Sequence, residues 1–230
     1  MTGMRRVLDF LGELHANNNR EWFNAHKEQY LEAKSVMDDV ALKLLDGVRG
    51  FDDSIGELSL SDIRFRIYRD VRFAGGKGPY KNQMSIYIAP GGRKSGYCGY
   101  YFQVSAATDA GWESGNMIAA GNYFLEKEVL KTLREDIEFG DGDFRKIISG
   151  ADPRMKLDTD NALKKVPAGF DPASPEADLL KLKNFSLTYA PDDDFVLSPD
   201  LIGNLLDIFR STTPFLAYLN RAIRYVRENQ

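Results

Sequence analysis

Residues 64–81 contain six basic side chains and a single acidic one, that of Asp70. The basic residues are Arg64, Arg66, Arg69, Arg72, Lys77 and Lys81. The segment therefore carries a charge of +5, in a chain whose formal net charge is −4. Guanidinium groups bind phosphate or carboxylate through paired hydrogen bonds, and ammonium groups add point charges. These residue types predict an anion-binding site that includes Arg66, Arg69, Arg72, Lys77 and Lys81.

Other polar groups in or near the segment suit the same chemistry. Tyr80 joins the predicted anion-binding set, and Tyr68 supports it, because phenols can stack on a ligand or donate a hydrogen bond. Asp70 is the candidate catalytic group, which would orient an arginine or transfer a proton. Residues 74–82 are rich in glycine and predict a loop whose backbone can approach a ligand closely. Glu21 is a supporting acid outside the segment.

A structural role explains the same residues equally well. Arg69 and Arg72 could pair with Asp70, or with acids elsewhere such as Glu21 and Glu113. The basic segment would then be an internal salt-bridge network with no ligand.

The basic residues must be held by the elements around them. Ile63, Phe65 and Ile67 alternate with polar residues, and this period of two predicts a strand with a basic face. Arg69 falls on the apolar side of that pattern. This position predicts one of two arrangements. Either the strand bulges or ends at Arg69, or the Arg69 side chain is buried with a partner.

The remaining pattern predicts helices at both ends of the chain and strands in the middle. Helices are predicted at 7–14, 22–48, 125–137, 144–148 and 199–209, where Pro199 takes the first helical position, and again after Thr213-Pro214. Further strands are predicted at 84–88, 97–106, 112–119 and 185–189. Asn18 is the predicted N-cap of the long helix at 22–48. This order predicts a single α+β domain over 1–230, with a mostly antiparallel sheet covered by N-terminal and C-terminal helices.

Composition narrows the partners and the compartment. A pI of about 5.4 disfavours broad nucleic-acid binding, because phosphate neutralisation supplies most of that affinity. Cys98 is the single cysteine, which favours a reducing compartment. Apolar runs are too short to span a membrane, so we expect a cytoplasmic protein with no membrane partner. Two histidines without clustered cysteines predict no metal site, and no motif identifies a cofactor.

The motif at 66–73, followed by Lys77-Gly78-Pro79-Tyr80-Lys81, resembles the signature of the bacterial domain-of-unknown-function family 2461. The resemblance extends to residues 17–23, 163–170 and 179–183, and so covers essentially the whole chain. It implies no particular activity, because the family's name records none. The family places Asp or Asn before the motif lysine, whereas this chain has Gly76, which leaves Asp70 as the carboxylate inside the motif.

Three functions remain open at this point. The first is binding of a phosphorylated or other anionic small molecule, with or without an enzymatic step. The second is a nucleic-acid binding module that uses the basic strand face, with Tyr68 and Tyr80 as stacking groups. The third is a non-catalytic interaction protein with a structural Arg/Asp network. Burial and convergence of the arginines distinguish these functions.

Overall fold

The computed structural model describes residues 3–70, 78–106 and 114–229, and within them it shows an α+β fold. The helices are α1 (Gly3–Ala16), α2 (Arg20–Ala25), α3 (Lys27–Arg49), α4 (Leu60–Ile63), α5 (Lys127–Phe139), α6 (Asp143–Ser149), α7 (Ala177–Leu180), α8 (Asp193–Val196) and α9 (Leu201–Glu228). A 3-10 turn occupies Asp53–Ile55. The predicted fold class is confirmed, with helices at both ends of the chain.

The described strands form one open antiparallel sheet. They are β1 (Gln83–Ile88), β2 (Gly99–Ser105), β3 (Met117–Asn122), β4 (Lys156–Leu157) and β5 (Phe185–Tyr189), in the spatial order β1-β2-β3-β5-β4. Ile86 lies opposite Phe102, which lies opposite Ile118, so these side chains share one face. That face is buried under α1, α3 and α9 and forms the core. Burial of such side chains stabilises the fold by about 1.5–3 kcal/mol each.

The predicted helix at 22–48 is two helices, α2 and α3, that meet at His26. Asn19, rather than Asn18, caps α2, because its side chain accepts a hydrogen bond from the Trp22 amide at 2.9 Å. The prediction was wrong by one residue since three consecutive asparagines offer the same capping chemistry. Asn18 instead makes contacts far away in the chain.

The predicted strand at 63–68 is only partly correct. Ser59 and Asp62 form a capping box, and this turns residues 60–63 into the short helix α4. The chain then runs extended from Arg64 beside β1, but the pairing is limited to isolated bridges. The expected strand at 112–119 lies later, as β3, and residues 107–113 fall outside the described ranges.

The C-terminal helix does not restart at Thr213-Pro214 as predicted, because α9 is continuous through Pro214. It also begins at Leu201 rather than at Pro199. Proline removes one intrahelical hydrogen bond, but Phe215 and Leu216 just after it are buried in the core. Tertiary packing on both sides of Pro214 therefore outweighs the lost bond. Among the described helices, none combines the length and the apolar character needed to cross a membrane.

Candidate functional site

Residues 64–70, here called the edge segment, extend the sheet beyond β1. The Phe65 amide donates to the Ser85 carbonyl at 3.2 Å, and the Arg69 amide donates to the Pro79 carbonyl at 2.9 Å. Tyr68 forms an antiparallel bridge with Tyr80. The edge segment is thus anchored at both ends, and it contacts α3 through Arg64, which pairs with Asp38, and through Tyr68, which accepts a hydrogen bond from Lys27.

Asn18 holds the chain that returns beside the edge segment. Its amide donates to the Tyr80 carbonyl at 3.0 Å and to Asn82 at 2.7 Å, while its oxygen accepts from the Tyr80 amide at 3.1 Å. A Cβ at Gly78 would lie 2.4 Å from Asn18 side-chain atoms, so glycine is required there. The asparagine run at 17–19 and the Lys-Gly-Pro-Tyr-Lys motif are therefore one structural unit.

Aromatic rings pack against this structural unit on the side of α2, where Phe23 lies. Tyr80 is buried and stacks on Phe23, with ring centroids 3.9 Å apart. The Tyr68 ring meets Phe23 edge-on at 5.8 Å and is 44% exposed. Burial raises the pKa of the Tyr80 hydroxyl, which keeps it neutral. Tyr80 is thus a structural anchor, and Tyr68 is the phenol that reaches solvent.

Arg69 binds the returning chain. Its guanidinium donates to the Gly78 carbonyl at 3.1 Å and to the Tyr80 carbonyl at 3.2 Å. Arg69 is half-buried, and its described contacts include these two backbone carbonyls. Asp70, the candidate catalytic carboxylate, is half-buried at the last described position before residue 78.

Arg64 and Lys34 share one carboxylate on α3. Arg64 Nη1 lies 2.6 Å from Asp38 Oδ1, and Lys34 Nζ lies 2.7 Å from Asp38 Oδ2. The Asp38 side chain is only 16% exposed. This pairing fixes the edge segment against α3. Because two cations share one carboxylate, the three side chains together keep a charge of +1.

A groove of about 220 Å³ opens between α3 and the edge segment. This cavity is here called the basic groove, and its polar lining consists of Tyr30, Lys34, Arg64, Arg66, Tyr68 and Ser85. Met37, Ile67, Met84 and Ile86 add an apolar floor. Arg66 is exposed, and among the described residues it forms neither an ion pair nor a hydrogen bond. Among the described residues that line the groove there are thus three cations and no carboxylate, and Asp38 beside it pairs with two of the three cations.

Of the other predicted site residues that the structure describes, Lys81 and Glu21 do not line this groove. Lys81 Nζ lies 5.3 Å from the Phe65 ring centroid, which Arg93 also approaches at 5.5 Å. Glu21 is exposed in the first turn of α2 and makes no ion pair with a described residue. Arg72 and Lys77, together with Gly76 and the suggested partner Glu113, lie outside the described residues.

A second charged cavity, of about 180 Å³, lies against α5, α6 and α9 and is here called the paired cavity. Its charged contacts are Arg145 Nε to Glu176 Oε2 at 2.7 Å, Arg221 to Asp136 at 3.2 Å and Lys146 to Asp143 at 3.0 Å. Burial, and then the charge of Asp136, raises the pKa of Tyr218 there to about 12. Every acid that lines this cavity thus has a basic partner.

Sequence reasoning missed the α3 half of the basic groove. Lys27, Tyr30, Lys34 and Asp38 follow one another at intervals of three and four residues, which places them on one face of a helix. This polar stripe borders the apolar stripe of α3 and was a readable signal. The sequence gives no sign that this stripe lies near Arg66, because α3 and the edge segment come together only in the folded chain. Nowhere in the described ranges do three or more His, Cys, Asp or Glu side chains gather as metal ligands.

Comparison with known proteins agrees with the resemblance seen in the motifs. The family model described as "Conserved hypothetical protein (DUF2461)" matches residues 6–218, nearly the whole chain. Neither the curated proteins nor the solved structures gave a match. The matched range includes the asparagine run, α3, the edge segment and the motif that returns beside it. The chain belongs to the DUF2461 family.

Proposed function

We propose that this chain binds a small anion, a phosphate or a carboxylate, in the basic groove. The observation that carries the proposal is the convergence of Lys34, Arg64 and Arg66 on one cavity whose described lining includes no carboxylate, with Asp38 pairing two of these cations. A surplus of positive charge in a partly enclosed site attracts anions more strongly than the same charge on an open surface.

Arg66 is the principal ligand-binding residue in this proposal. Its guanidinium is exposed and has no described partner, so its five donors remain available to a ligand. Arg64 contributes charge but is already held by Asp38. Arg69 acts indirectly, because its hydrogen bonds to carbonyls position the edge segment that presents Arg66.

A thermal-shift panel tests this function. Inorganic phosphate, citrate and a short oligonucleotide are compared on the wild-type chain, on Arg66→Ala and on Arg224→Ala, which removes an exposed arginine of α9 far along the chain. An anion present at about 100 times its Kd stabilises the folded state by ~2.7 kcal/mol. We expect a rise in Tm with phosphate or citrate that Arg66→Ala abolishes and Arg224→Ala preserves.

Two outcomes of the thermal-shift panel would contradict small-anion binding in the basic groove. Equal stabilisation of wild type and Arg66→Ala would place the anion elsewhere and contradict the proposal. Stabilisation by the oligonucleotide alone, lost in Arg66→Ala, would replace small-anion binding with nucleic-acid binding along the edge segment.

A further inference from the structure

Lys27 lies beside the basic groove in an unusual setting for an ammonium group. Its Nζ is 5.1 Å from the Phe23 ring centroid, 4.9 Å from that of Tyr30 and 5.8 Å from that of Tyr68. It has no carboxylate partner among the described residues and instead donates to the Tyr68 hydroxyl oxygen at 3.1 Å. Aromatic faces attract a cation, so the rings hold Lys27 in this position.

The contact with Lys27 keeps the hydroxyl proton of Tyr68 from pointing toward Lys27. An ammonium group has only donors, so the Tyr68 oxygen accepts this bond and its own proton is directed elsewhere. Tyr68 lines the groove, as does Tyr30. Burial raises the pKa of the Tyr30 hydroxyl, and the neighbouring Tyr68 raises it further, so Tyr30 also remains a neutral donor. The groove thus offers two phenolic donors besides Arg66.

The charge at the groove distinguishes between classes of anion. Lys34, Arg64 and Arg66 exceed the charge of Asp38 by two, and Lys27 adds a further cation beside Tyr68. A monocarboxylate would leave at least one positive charge unmatched. A phosphomonoester carries a charge of about −1.5 to −2 at neutral pH and presents three strong acceptor oxygens.

We propose that the ligand of the basic groove is a phosphomonoester dianion, with its phosphoryl oxygens bound by Arg66, Tyr68 and Tyr30. Its organic part rests on the apolar floor formed by Met37 and Ile67. Lys27 is a positioning residue that acts through the Tyr68 hydroxyl. This assignment rests on the proposed anion-binding function and makes it more specific.

Isothermal titration with phenyl phosphate and phenyl sulfate tests the class of ligand. The two probes share a ring, but the sulfate stays a monoanion, whereas the phosphate gains its second charge above its second pKa of about 6. We expect phenyl phosphate to bind about tenfold more tightly at about pH 7.5, a difference of ~1.4 kcal/mol. This advantage should shrink at about pH 5, where the phosphate is mostly a monoanion.

The outcomes separate the two proposals. Equal affinities for both probes at both pH values would overturn the phosphomonoester assignment and leave anion binding intact. If neither probe binds and inorganic phosphate gives no Tm shift, the anion-binding function itself fails.

A double-mutant cycle tests the role of Lys27. Tyr68→Phe removes the hydroxyl but keeps the ring, and Lys27→Met removes the ammonium; each should weaken phenyl phosphate binding by about threefold to tenfold. If Lys27 acts through Tyr68, Lys27→Met in the Tyr68→Phe background should add less than about twofold. Fully additive losses would overturn the positioning role. Lys43→Met, at an exposed lysine of α3, is the matched control and should leave affinity unchanged.

Discussion

The basic groove and the paired cavity are similar in size, about 220 and 180 Å³, yet they differ in how charge is matched. In the paired cavity Arg145, Arg221 and Lys146 each contact an acid within 3.2 Å. In the basic groove one carboxylate, that of Asp38, serves Arg64 and Lys34 while Arg66 has no described partner. The two cavities therefore differ not in how many charged groups surround them but in whether positive charge is left unmatched, and this difference is the ground for proposing an anion site at the basic groove.

The two regions also differ in what holds them in place. The basic groove is framed by buried aromatic rings and by hydrogen bonds from Asn18 and Arg69 to backbone groups. The paired cavity also has an aromatic frame, in which Phe144 contacts Phe215 and Tyr218, but its ion pairs add a second set of contacts, since Arg145 reaches from α6 to acids in and beside α7. We therefore expect loss of Arg66, in the first region, to affect binding and loss of Arg145, in the second, to affect stability.

The largest effect should come from the aromatic frame of the groove. Phe23 is 1% exposed and contacts Phe10, Tyr30 and Tyr80. Phe23→Ala should lower the free energy of unfolding by about 3–5 kcal/mol, because it removes a fully buried ring and leaves a cavity. Urea unfolding measures this loss. A loss below about 1 kcal/mol would mean that the frame is not what holds the groove together.

The next largest effect should separate the two regions directly. Arg145→Ala leaves Glu176, whose side chain is 10% exposed, without its cation, and should lower the free energy of unfolding by about 1–3 kcal/mol. Arg66→Ala, at an exposed arginine without a described partner, should change it by no more than about 0.5 kcal/mol. Urea unfolding of both variants provides the comparison, and a reversed order would refute it.

Asp38→Asn should move stability and binding in opposite directions. The substitution keeps the shape but leaves Arg64 and Lys34 without their carboxylate, so the free protein should lose about 1–2 kcal/mol of stability. The groove gains net positive charge, and phosphate should bind several-fold more tightly. Thermal shifts with and without phosphate check both effects. Weaker phosphate binding in Asp38→Asn would contradict the role assigned to surplus charge.

The smallest effect is a dependence of stability on pH at the paired cavity. Burial by itself would raise the pKa of Asp178, but the hydrogen bond and charge of Arg145 outweigh it, so the pKa lies below its ordinary value of 3.8. A lowered pKa in the folded state contributes stability above that value, and the contribution is lost as pH falls through the folded pKa. The stability gap between wild type and Arg145→Ala should therefore narrow below pH 3.8, as measured by urea unfolding at several pH values.

Much of the fold was readable because its patterns are local. The alternation at 84–88 and 185–189 and the helical spacing of α1 and α5 follow directly from which side chains the core buries. Errors arose where local signals compete. Pro214 carries a strong helix-start signal that burial of α9 overrides, and three adjacent asparagines offered three equivalent caps.

The candidate site was predictable only in part. Arg64, Arg66 and Tyr68, which the predicted strand put on one face, all line the groove, but Phe65 and Ile67 between them line it too. The roles of Arg69 and Tyr80 could not be assigned, since a guanidinium that binds carbonyls and one that binds phosphate look the same in a sequence. Lys34 and Asp38 were missed because nothing local relates α3 to the edge segment.

Titration of inorganic phosphate by calorimetry against wild type, Arg66→Ala and Arg224→Ala tests the central claim most directly. Surplus charge at the basic groove predicts saturable binding of phosphate to the wild-type chain. It also predicts a loss of about tenfold or more in Arg66→Ala, equivalent to ~1.4 kcal/mol, and no change in Arg224→Ala. Equal affinity in all three proteins, or no binding to the wild-type chain at millimolar phosphate, would contradict the assignment of this groove as an anion site.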